Sequence, residues 1–346
     1  MKNITYLDIH PKFKLNGLSL TKDDLYMIAY SYIKEGDESE KPVGKFILDW
    51  LDSKSYIEMH TSGSTGIPKL IKVSKQSMVN SALASGAFFD LQYGNKILNC
   101  LPMKYVAGKM MFVRSFVLGL EMDFVPPSLH PLRKLEDTYD FCAMVPLQAQ
   151  NSLQDMHLIK KLIVGGAKIN AKLEKQLLRL KKTDCYETFG MTETVSHIAA
   201  KKVGEKAFTL MPNISIEKDS RNCLIINAPL LAEEPIVTND LIEIMNGNQF
   251  KFLGRLDNVI NSGGVKINPE QVEEKLIDKI SPRFMIIGKP DVNLGEKVVL
   301  LIESNAFIID ENLFDSLDKF EKPKEIHFIP QFKDSNNGKL LRRVTL

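Results

Sequence analysis

The sequence predicts an α/β protein, with a large N-terminal domain of mixed sheets flanked by helices and a small α+β C-terminal domain. Three observations predict this. Apolar runs typical of strands (KILNCLP, EMDFVPP, FCAMVP and KKLIVGG) alternate with helical patterns over residues 76–182, as in a sheet covered by helices. The character of the sequence changes near residue 255. The chain has 346 residues, which is enough for two domains.

Apolar residues recur at helical spacing in four N-terminal segments, residues 21–34, 41–52, 76–89 and 170–182. Phe46 and Trp50 share one face of the second segment. Asn170 is placed to cap the fourth, which presents Leu173 and Leu177 on one side. Residues 56–60 form a short predicted strand that runs into a glycine-rich loop.

We place the domain boundary at Asp257, which divides the chain into residues 1–256 and 257–346. Beyond the boundary, a glycine pair precedes a well-capped helix, with Asn268 at the N-cap and Pro269 at the first helical position. Val272 and Leu276 face inward on that helix. The strand-like runs FMIIG, KVVLLIE and EIHFI complete a segment long enough for a small domain.

Composition excludes several classes of function. A formal net charge of +2 argues against a nucleic acid or an acidic membrane as partner. The longest apolar run, residues 110–125, contains three charged residues, so we predict no membrane span. The first residues lack the apolar segment of a signal peptide. The four cysteines have no C-x-x-C spacing and the six histidines form no zinc pattern, which predicts reduced, buried cysteines in a cytoplasmic protein. A homo-oligomer stays among the alternatives.

The stretch HTSGSTGIPK, residues 60–69, combines glycines, hydroxyl residues and a lysine. It is not a Walker A loop, because Pro68 precedes Lys69 and Leu70 follows it. Glycines let backbone N–H groups approach an anion, and hydroxyl groups can donate to phosphate oxygens. The segment therefore predicts a phosphate-binding loop, and a flexible Ser/Gly turn is the alternative.

Three further stretches could contribute to the same chemistry. YETFGMTET offers Glu193 as a magnesium ligand, VTNDLIEI offers Asp240 as an acceptor for ribose hydroxyls, and NNGKLLRR presents Lys339 after a glycine turn. Taken singly, each has a stronger structural reading: a capping Thr/Glu pair, an Asn-Asp turn and a solvated lysine, respectively. Their order along the chain is more informative than any one of them.

In that order, the glycine/hydroxyl loop, GMTET, TND, GRLDNVINSGGVKI and GKLLR resemble the motifs of the acyl-adenylate-forming (AMP-binding) enzymes, the superfamily of acyl-CoA synthetases, luciferases and nonribosomal adenylation domains. The motifs span residues 60–342. Within the superfamily, GMTETVSHIA, NVINSGGVKINPEQVE and the compact length are most similar to the o-succinylbenzoate–CoA ligases of menaquinone biosynthesis.

The resemblance implies a two-step reaction that uses ATP, Mg²⁺ and coenzyme A. A carboxylate attacks the α-phosphate of ATP and releases pyrophosphate. The thiol of coenzyme A then displaces AMP from the acyl-adenylate. It also implies that the small C-terminal domain is mobile and rotates between the two half-reactions, with Asp257 at the hinge.

The resemblance assigns roles residue by residue. Glu193 would bind Mg²⁺, Thr192 the α-phosphate, and Asp240 with Arg255 the ribose. Lys339 would contact the α-phosphate and the acyl carboxylate during adenylation. The β- and γ-phosphates would be held by Thr61, Ser62, Gly63, Ser64, Thr65, Gly66 and Lys69. The adenine would lie between the loop of Gly165, Gly166 and Ala167 and the segment of Glu187, Thr188 and Phe189. The thiol would meet the loop of Gly263, Gly264 and Lys266.

The chain also departs from the family pattern. About sixty residues precede the phosphate loop, so we expect a shortened N-terminus and a reduced acyl pocket. Tyr105 stands where the family usually carries a histidine that lines or gates the acyl site, and NNGK replaces a threonine-rich approach to the lysine. A dicarboxylic acid would need a cation for its second carboxylate. Lys104, Lys109 and Arg114 are candidates; we favour Lys109 over the alternative of surface lysines.

Three functional readings follow. The first is an ATP-dependent acid–CoA ligase acting on o-succinylbenzoate. The second is a ligase for another aryl or short-chain acid, or an adenylating enzyme that loads a carrier-protein thiol. The third is a non-catalytic nucleotide-binding relic, which the presence of Glu193, Asp240, Arg255 and Lys339 disfavours.

Overall fold

The computed structural model describes residues 4–60, 70–306, 309–333 and 342. These residues form two compact units: unit 1 comprises Met1–Ser215 and Asn227–Ile236, and unit 2 comprises Ile216–Ile226 and Val237–Leu346. Unit 2 includes the chain just before Asp257, because Gly254 there lies directly against Glu270 of the C-terminal helix. The domain boundary at Asp257 stays a prediction.

Unit 1 has helices close to those predicted. Thr21 caps the first through a capping box, Ser74 caps the third and Asn170 caps the last. The α-helices described in this unit are α1 Lys22–Lys34, α2 Glu40–Leu51, α3 Lys75–Phe89, α4 Val106–Leu118, α5 Pro146–Asn151 and α6 Ala171–Leu177.

The predicted helix over residues 170–182 is wrong at its C-terminal end, because α6 stops at Leu177. Arg179 N–H bonds to Gln176 and Leu180 N–H to Leu177. Each of these hydrogen bonds joins an N–H to the carbonyl three residues earlier, which is the 3-10 pattern. Such bonds tighten and close the last turn of a helix.

The main sheet of unit 1 has a parallel centre and an antiparallel side. Its strand order is β11-β10-β9-β8-β7-β5-β6-β1-β2, and β3 pairs with β4 in a separate hairpin. The neighbours from β9 to β1 are parallel, whereas β10 and β11 run antiparallel to their neighbours. The strands are β1 Lys14–Leu15, β2 Leu18–Ser19, β3 Tyr56–His60, β4 Leu70–Ser74, β5 Lys96–Asn99, β6 Glu121–Phe124, β7 Tyr139–Met144, β8 Ile159–Val164, β9 Asp184–Gly190, β10 His197–Lys202 and β11 Phe208–Leu210.

Apolar clusters cover both faces of this sheet. On one face, Phe46 and Trp50 of α2 meet Phe112 and Phe116 of α4, with ring centroids 5.9 and 6.1 Å apart. α4 is buried on almost every side, which is typical of a helix inside a core. The four cysteines are free and buried, as predicted.

Unit 2 contains two sheets and one α-helix among its described residues. The first sheet has the order β12-β13-β14-β15; in the second, the order is β17-β16-β19-β18, and β20 pairs with β19. Val272, Leu276 and Ile280 pack on the second sheet, as predicted. The elements are β12 Ser215–Lys218, β13 Cys223–Asn227, β14 Ile236–Asn246, β15 Gln249–Arg255, β16 Ile260–Ser262, β17 Val265–Ile267, α7 Pro269–Leu276, β18 Phe284–Asp291, β19 Gly295–Glu303 and β20 Glu325–Ile329.

These sheets and helices confirm the predicted α/β class. Asn268 occupies the N-cap of α7 but its side chain makes no capping hydrogen bond. Across the ranges the structure describes, no helix combines the length and apolar character needed to span a bilayer.

Candidate active site

The two segments predicted to enclose adenine lie next to each other in unit 1. Parallel strands β8 and β9 pair Val164 with Glu187, so the loop after β8 begins beside the end of β9. The hydroxyl of Thr188 donates to the carbonyl of Val164 at 3.3 Å. A Cβ atom on Gly165 would stand 2.5 Å from Thr188 Oγ1, and Gly166 has φ +84°. Both glycines are therefore required by the close approach and the turn.

Glu187 holds this loop through its carboxylate. One oxygen accepts from the backbone N–H of Ile169 at 3.3 Å, and the other pairs with Lys201 at 3.1 Å. The side chain is buried. Phe189 lies half-buried beside Phe208, with ring centroids 5.7 Å apart. Contact of Ala167, Glu187, Thr188 and Phe189 with a nucleotide stays a prediction.

Thr192 and Glu193 lie in a short 3-10 helix that follows β9, Thr192–Thr194. The carboxylate of Glu193 is exposed and Thr192 is half-buried. No group of three or more metal-ligating side chains occurs in the described part of the chain. One exposed carboxylate suits Mg²⁺, which is commonly held by one or two carboxylates together with water and substrate phosphates. The residues present therefore fit this ion when it arrives with a nucleotide.

Arg114 is the most unusual group in unit 1. Its side chain is 2% exposed on α4. One terminal nitrogen donates to Ser196 Oγ at 3.3 Å and the other approaches the sulfur of Met111 at 3.6 Å. Neither of these contacts is to a carboxylate, and within the described residues its Nε has no hydrogen-bond partner. Burial lowers the pKa of Arg114 to about 10, so the guanidinium stays charged at neutral pH.

His197 continues this polar cluster. Its Nδ1 lies 3.4 Å from Ser196 Oγ and its Nε2 lies 3.1 Å from Ser85 Oγ. Burial, and secondly the charge of Arg114, lowers the pKa of His197 well below its usual value, so the imidazole is neutral. His197 also lines a small cavity of about 20 Å³, together with Asn80 and Ser81 of α3, Met211 and Leu230. The buried hydroxyl of Ser81 has no hydrogen-bond partner among the described residues.

The predicted substrate residues Tyr105 and Lys109 lie at the start of α4. Tyr105 occupies the N-cap, is half-buried and makes no capping hydrogen bond through its side chain. Lys109 donates to the carbonyl of Met103, and its ammonium lies 5.9 Å from the centroid of the Phe46 ring. Burial is the main cause that lowers the pKa of Lys109 to about 8. Binding of the acid by either residue stays a prediction.

Unit 2 brings together the residues predicted to bind ribose and to form the hinge. Asp240 and Arg255 are direct partners in the β14–β15 hairpin, and Arg255 Nη1 lies 3.1 Å from Asp240 Oδ1. The other Arg255 nitrogen lies 2.7 Å from Asp257, whose second oxygen accepts from Asn239 at 2.9 Å. One guanidinium therefore joins both carboxylates. Ribose binding and a hinge at Asp257 stay predictions.

Gly263 and Gly264 form the turn of the β16–β17 hairpin, where Ser262 pairs with Val265. Both glycines have positive φ, +57° and +82°, as a two-residue hairpin turn of this kind requires. Lys266 follows on β17 and is exposed. The predicted phosphate-loop residues Thr61, Ser62, Gly63, Ser64, Thr65, Gly66 and Lys69, and the predicted catalytic Lys339, lie outside the described residues.

The class of protein follows from a comparison with known families. The family model described as AMP-binding enzyme matches residues 37–217, slightly more than half of the chain. The chain therefore belongs to the AMP-binding enzyme family, and the resemblance of its motifs to that family is confirmed.

Several individual proteins of this kind are similar to the chain. A solved structure described as an acyl-CoA synthetase (AMP-forming)/AMP-acid ligase II-like protein from Dyadobacter fermentans is 33% identical, with a TM-score of 0.63, and the match covers 91% of this chain and 95% of that one. The 2-succinylbenzoate–CoA ligase of Bacillus cytotoxicus is 24% identical over 82% of this chain and 68% of its own length. The Escherichia coli enzyme of the same name is 26% identical over 87% of this chain and 70% of its own.

A structure of the o-succinylbenzoate coenzyme A synthetase from Bacillus subtilis, in complex with ATP and magnesium ion, shares the fold. It is 20% identical, with a TM-score of 0.69, and the match covers 82% of this chain and 68% of that one. The chain thus matches roughly two thirds of the length of these ligases.

Sequence reasoning undervalued one residue. Arg114 is one of three candidate cations in the sequence, of which we favour Lys109, and the sequence does not show that Arg114 is the most deeply buried of them. The only sequence signal for Arg114 was a charge in the middle of an apolar run, residues 110–125. A charge in that position is either paired or reserved for a ligand.

Proposed function

We propose that this protein is an ATP-dependent acid–CoA ligase that forms AMP, that its acid is o-succinylbenzoate, and that it acts in menaquinone biosynthesis. Membership of the AMP-binding family and the names of the relatives support the reaction class. The observation that carries the choice of acid is Arg114, a buried guanidinium without a carboxylate partner among the described residues. o-Succinylbenzoate has two carboxylates, of which only one can be activated.

The reaction has two steps. In the first, a carboxylate oxygen of the acid attacks the α-phosphorus of ATP, the bond from that phosphorus to the pyrophosphate oxygen breaks, and an acyl-adenylate forms. In the second, the sulfur of coenzyme A attacks the acyl carbon, the bond to the AMP oxygen breaks, and the thiol proton leaves to solvent. Adenylation is needed because the oxide that would otherwise leave a carboxylate is a very poor leaving group.

The nucleotide roles follow the family motifs. Gly165, Gly166 and Ala167 with Thr188 and Phe189 would enclose the adenine, and Glu187 would hold that loop in place. Thr192 would contact the α-phosphate. Glu193 would hold Mg²⁺, which neutralises charge on the phosphates when bound. The loop of Thr61–Lys69 would restrain the departing pyrophosphate, and Lys339 would stabilise charge that develops at the α-phosphate.

The second half-reaction involves unit 2. Asp240 and Arg255 would hold the ribose. Rotation at Asp257 would remove Lys339 and bring the turn of Gly263 and Gly264, with Lys266, to the thiol. Domain rotations of this kind are a common way for one enzyme to serve two successive steps.

Arg114 and Ser196 would receive the carboxylate that does not react. A guanidinium binds a carboxylate through two parallel hydrogen bonds, and the Nε of Arg114 is available for one of them. The neighbouring cavity beside His197 has about 20 Å³, which is room for about one water molecule. Lys109, which the sequence favoured, is the second candidate for this role.

The four free cysteines agree with a cytoplasmic setting, where disulfides are rare, and we include that location in the proposal.

The decisive experiment measures pyrophosphate release from ATP with o-succinylbenzoate, benzoate, a short-chain acid and a fatty acid, each with and without coenzyme A. We expect activity with o-succinylbenzoate well above that with the monocarboxylic acids, and thioester formation only when coenzyme A is present. Activity confined to another acid would overturn the choice of substrate. Adenylation with no transfer to coenzyme A would favour a carrier-protein thiol, and no activity at all would favour the non-catalytic relic.

A further inference from the structure

The backbone at Val195 adopts a conformation that valine normally avoids. Its φ is 67° and its ψ is −50°, and the N–H of Ser196 bonds to the carbonyl of Thr194 at 2.7 Å. This is a three-residue γ-turn of the rare, strained hand. A β-branched residue with positive φ is a true outlier, and it persists only where the surrounding structure enforces it.

Two features enforce the turn. The hydroxyl of Thr194 is fully buried and lies 3.1 Å from the N–H of Met191, 2.9 Å from its carbonyl and 2.7 Å from the carbonyl of Ser196. It therefore ties the two ends of the turn together. On the other side, Gly190 packs against the chain so closely that a Cβ atom there would lie 2.4 Å from the carbonyl oxygen of Ser196 and from the Cα of His197.

The strained turn lies between two groups with different neighbours. Before it, Glu193 is exposed at the end of β9. After it, Ser196 Oγ lies 3.3 Å from the guanidinium of Arg114 and 3.4 Å from His197. An ordinary extended residue at position 195 would send Ser196 in a different direction, because the γ-turn reverses the chain within three residues.

We propose that the γ-turn at Val195, held in its strained form by the hydroxyl of Thr194, is a positioning element that aligns Ser196 with Arg114 for binding of the acid's second carboxylate. Thr194 and Val195 touch no substrate in this scheme. They act through Ser196, which follows the turn, so binding of the acid should be affected more than binding of ATP. This inference rests on the proposed function and adds to it the backbone turn that determines specificity for the acid.

The test uses the full chain and four variants. Thr194→Val removes the hydroxyl and keeps the shape, so residue 195 can relax to negative φ. We expect the KM for o-succinylbenzoate to rise about 10-fold, which equals the loss of roughly one hydrogen bond to a charged group. The KM for ATP should change less than 2-fold. Thr194→Ser keeps the hydroxyl and should stay within about 3-fold of the wild type for both substrates.

The more discriminating part of the test is a second substitution that should restore binding of the acid. Glycine adopts positive φ without strain, so Val195→Gly added to Thr194→Val should restore the acid KM to within about 3-fold of the wild type. Val195→Ala added to Thr194→Val is the matched control, because it loses side-chain volume too but still disfavours positive φ. It should show no rescue.

Calorimetric titration of o-succinylbenzoate into each variant gives the same comparison without turnover. Equal effects of Thr194→Val on acid and ATP, or equal behaviour of the glycine and alanine double variants, would overturn the inference while leaving the proposed function standing. A wild-type protein that neither binds nor activates any acid would remove the proposed function, and the inference with it.

Discussion

Two arginines, one in each unit, show how differently the same side chain can be used. Arg342 of unit 2 retains 23% of its side-chain exposure, and both of its terminal nitrogens lie 2.7 Å from the carboxylate of Glu273. It also donates to the carbonyl of Ile286 at 3.0 Å. Arg114 of unit 1 is buried more deeply, yet it has a hydroxyl, a sulfur and no carboxylate among its described neighbours.

The contrast separates structure from function. A buried charge that is paired in two-pronged geometry contributes to holding elements together, whereas a buried charge without an anion destabilises the fold. Arg342 belongs to the first kind and Arg114 to the second. The two residues should therefore respond in opposite ways to the same substitution.

The largest effect is expected at Arg342. Arg342→Met leaves the carboxylate of Glu273 without its cation, and the free energy of unfolding should fall by about 3 kcal/mol, because removing one member of a largely buried pair strands the other. Urea titration followed by circular dichroism measures this change. Arg342→Lys keeps the charge and loses the fork, so its loss should be smaller. An unchanged unfolding midpoint for the methionine variant would refute the structural role.

Arg114→Met should give the second-largest effect. It should weaken binding of the acid and at the same time raise the melting temperature of the protein. The KM for o-succinylbenzoate should rise about 10- to 100-fold, because hydrogen bonds to charged groups are worth about 1.5–3 kcal/mol, and the KM for benzoate should change little. The melting temperature should rise, since the unpaired charge is removed from the core. A lower melting temperature with an unchanged acid KM would make Arg114 a structural residue like Arg342.

Lys109→Met should give the smallest effect, a rise of about 2- to 5-fold in the KM for the acid. The ammonium of Lys109 already donates a hydrogen bond to the carbonyl of Met103. Its attraction to a more distant carboxylate is weak near a protein surface. The contribution should depend on pH. Burial lowers the pKa of Lys109 to about 8, so its positive charge is present below pH 8 and is lost as the pH rises above it.

KM measured from pH 6.5 to 9.5 therefore distinguishes the two cations. In the wild type, the acid KM should rise above pH 8 if Lys109 contributes, and the Lys109→Met profile should be flat over the same interval. Identical profiles for the two proteins would leave Arg114 as the cation of the acid site. Arg114 keeps its charge over most of that range, since its pKa is about 10.

Much of the fold was predictable because local patterns decide it. Helical spacing found α1 to α3 within about two residues, and the predicted capping residue Asn170 marked where α6 begins. The two-residue strands β1 and β2 gave no signal, since β1 is held by its pairing with the distant strand β6 and β2 pairs only with β1. The early end of α6 was also missed, because hydrophobic spacing continues through Leu180 while the backbone tightens at Leu178.

The site was predictable in its motifs but not in its contacts. Parallel strand ends bring Gly165 and Thr188 together, as motif order implied. Arg114 and Ser196 are 82 residues apart in the sequence. The local pattern of α4 does not show which part of the chain lies next to Arg114. The γ-turn at Val195 contains no glycine that would indicate a positive φ in the sequence. Strain of this kind is enforced by tertiary contacts, which leave no local sequence signal.

The unpaired guanidinium of Arg114 has a consequence for the lifetime of the protein. A carboxylate that binds beside it supplies the missing counter-ion, so the acid should act as a stabilising ligand whose influence grows with its concentration. In a cell that lacks the acid, a larger fraction of molecules would be open to proteolysis. The supply of substrate would then regulate how much of the enzyme survives as well as how fast it works.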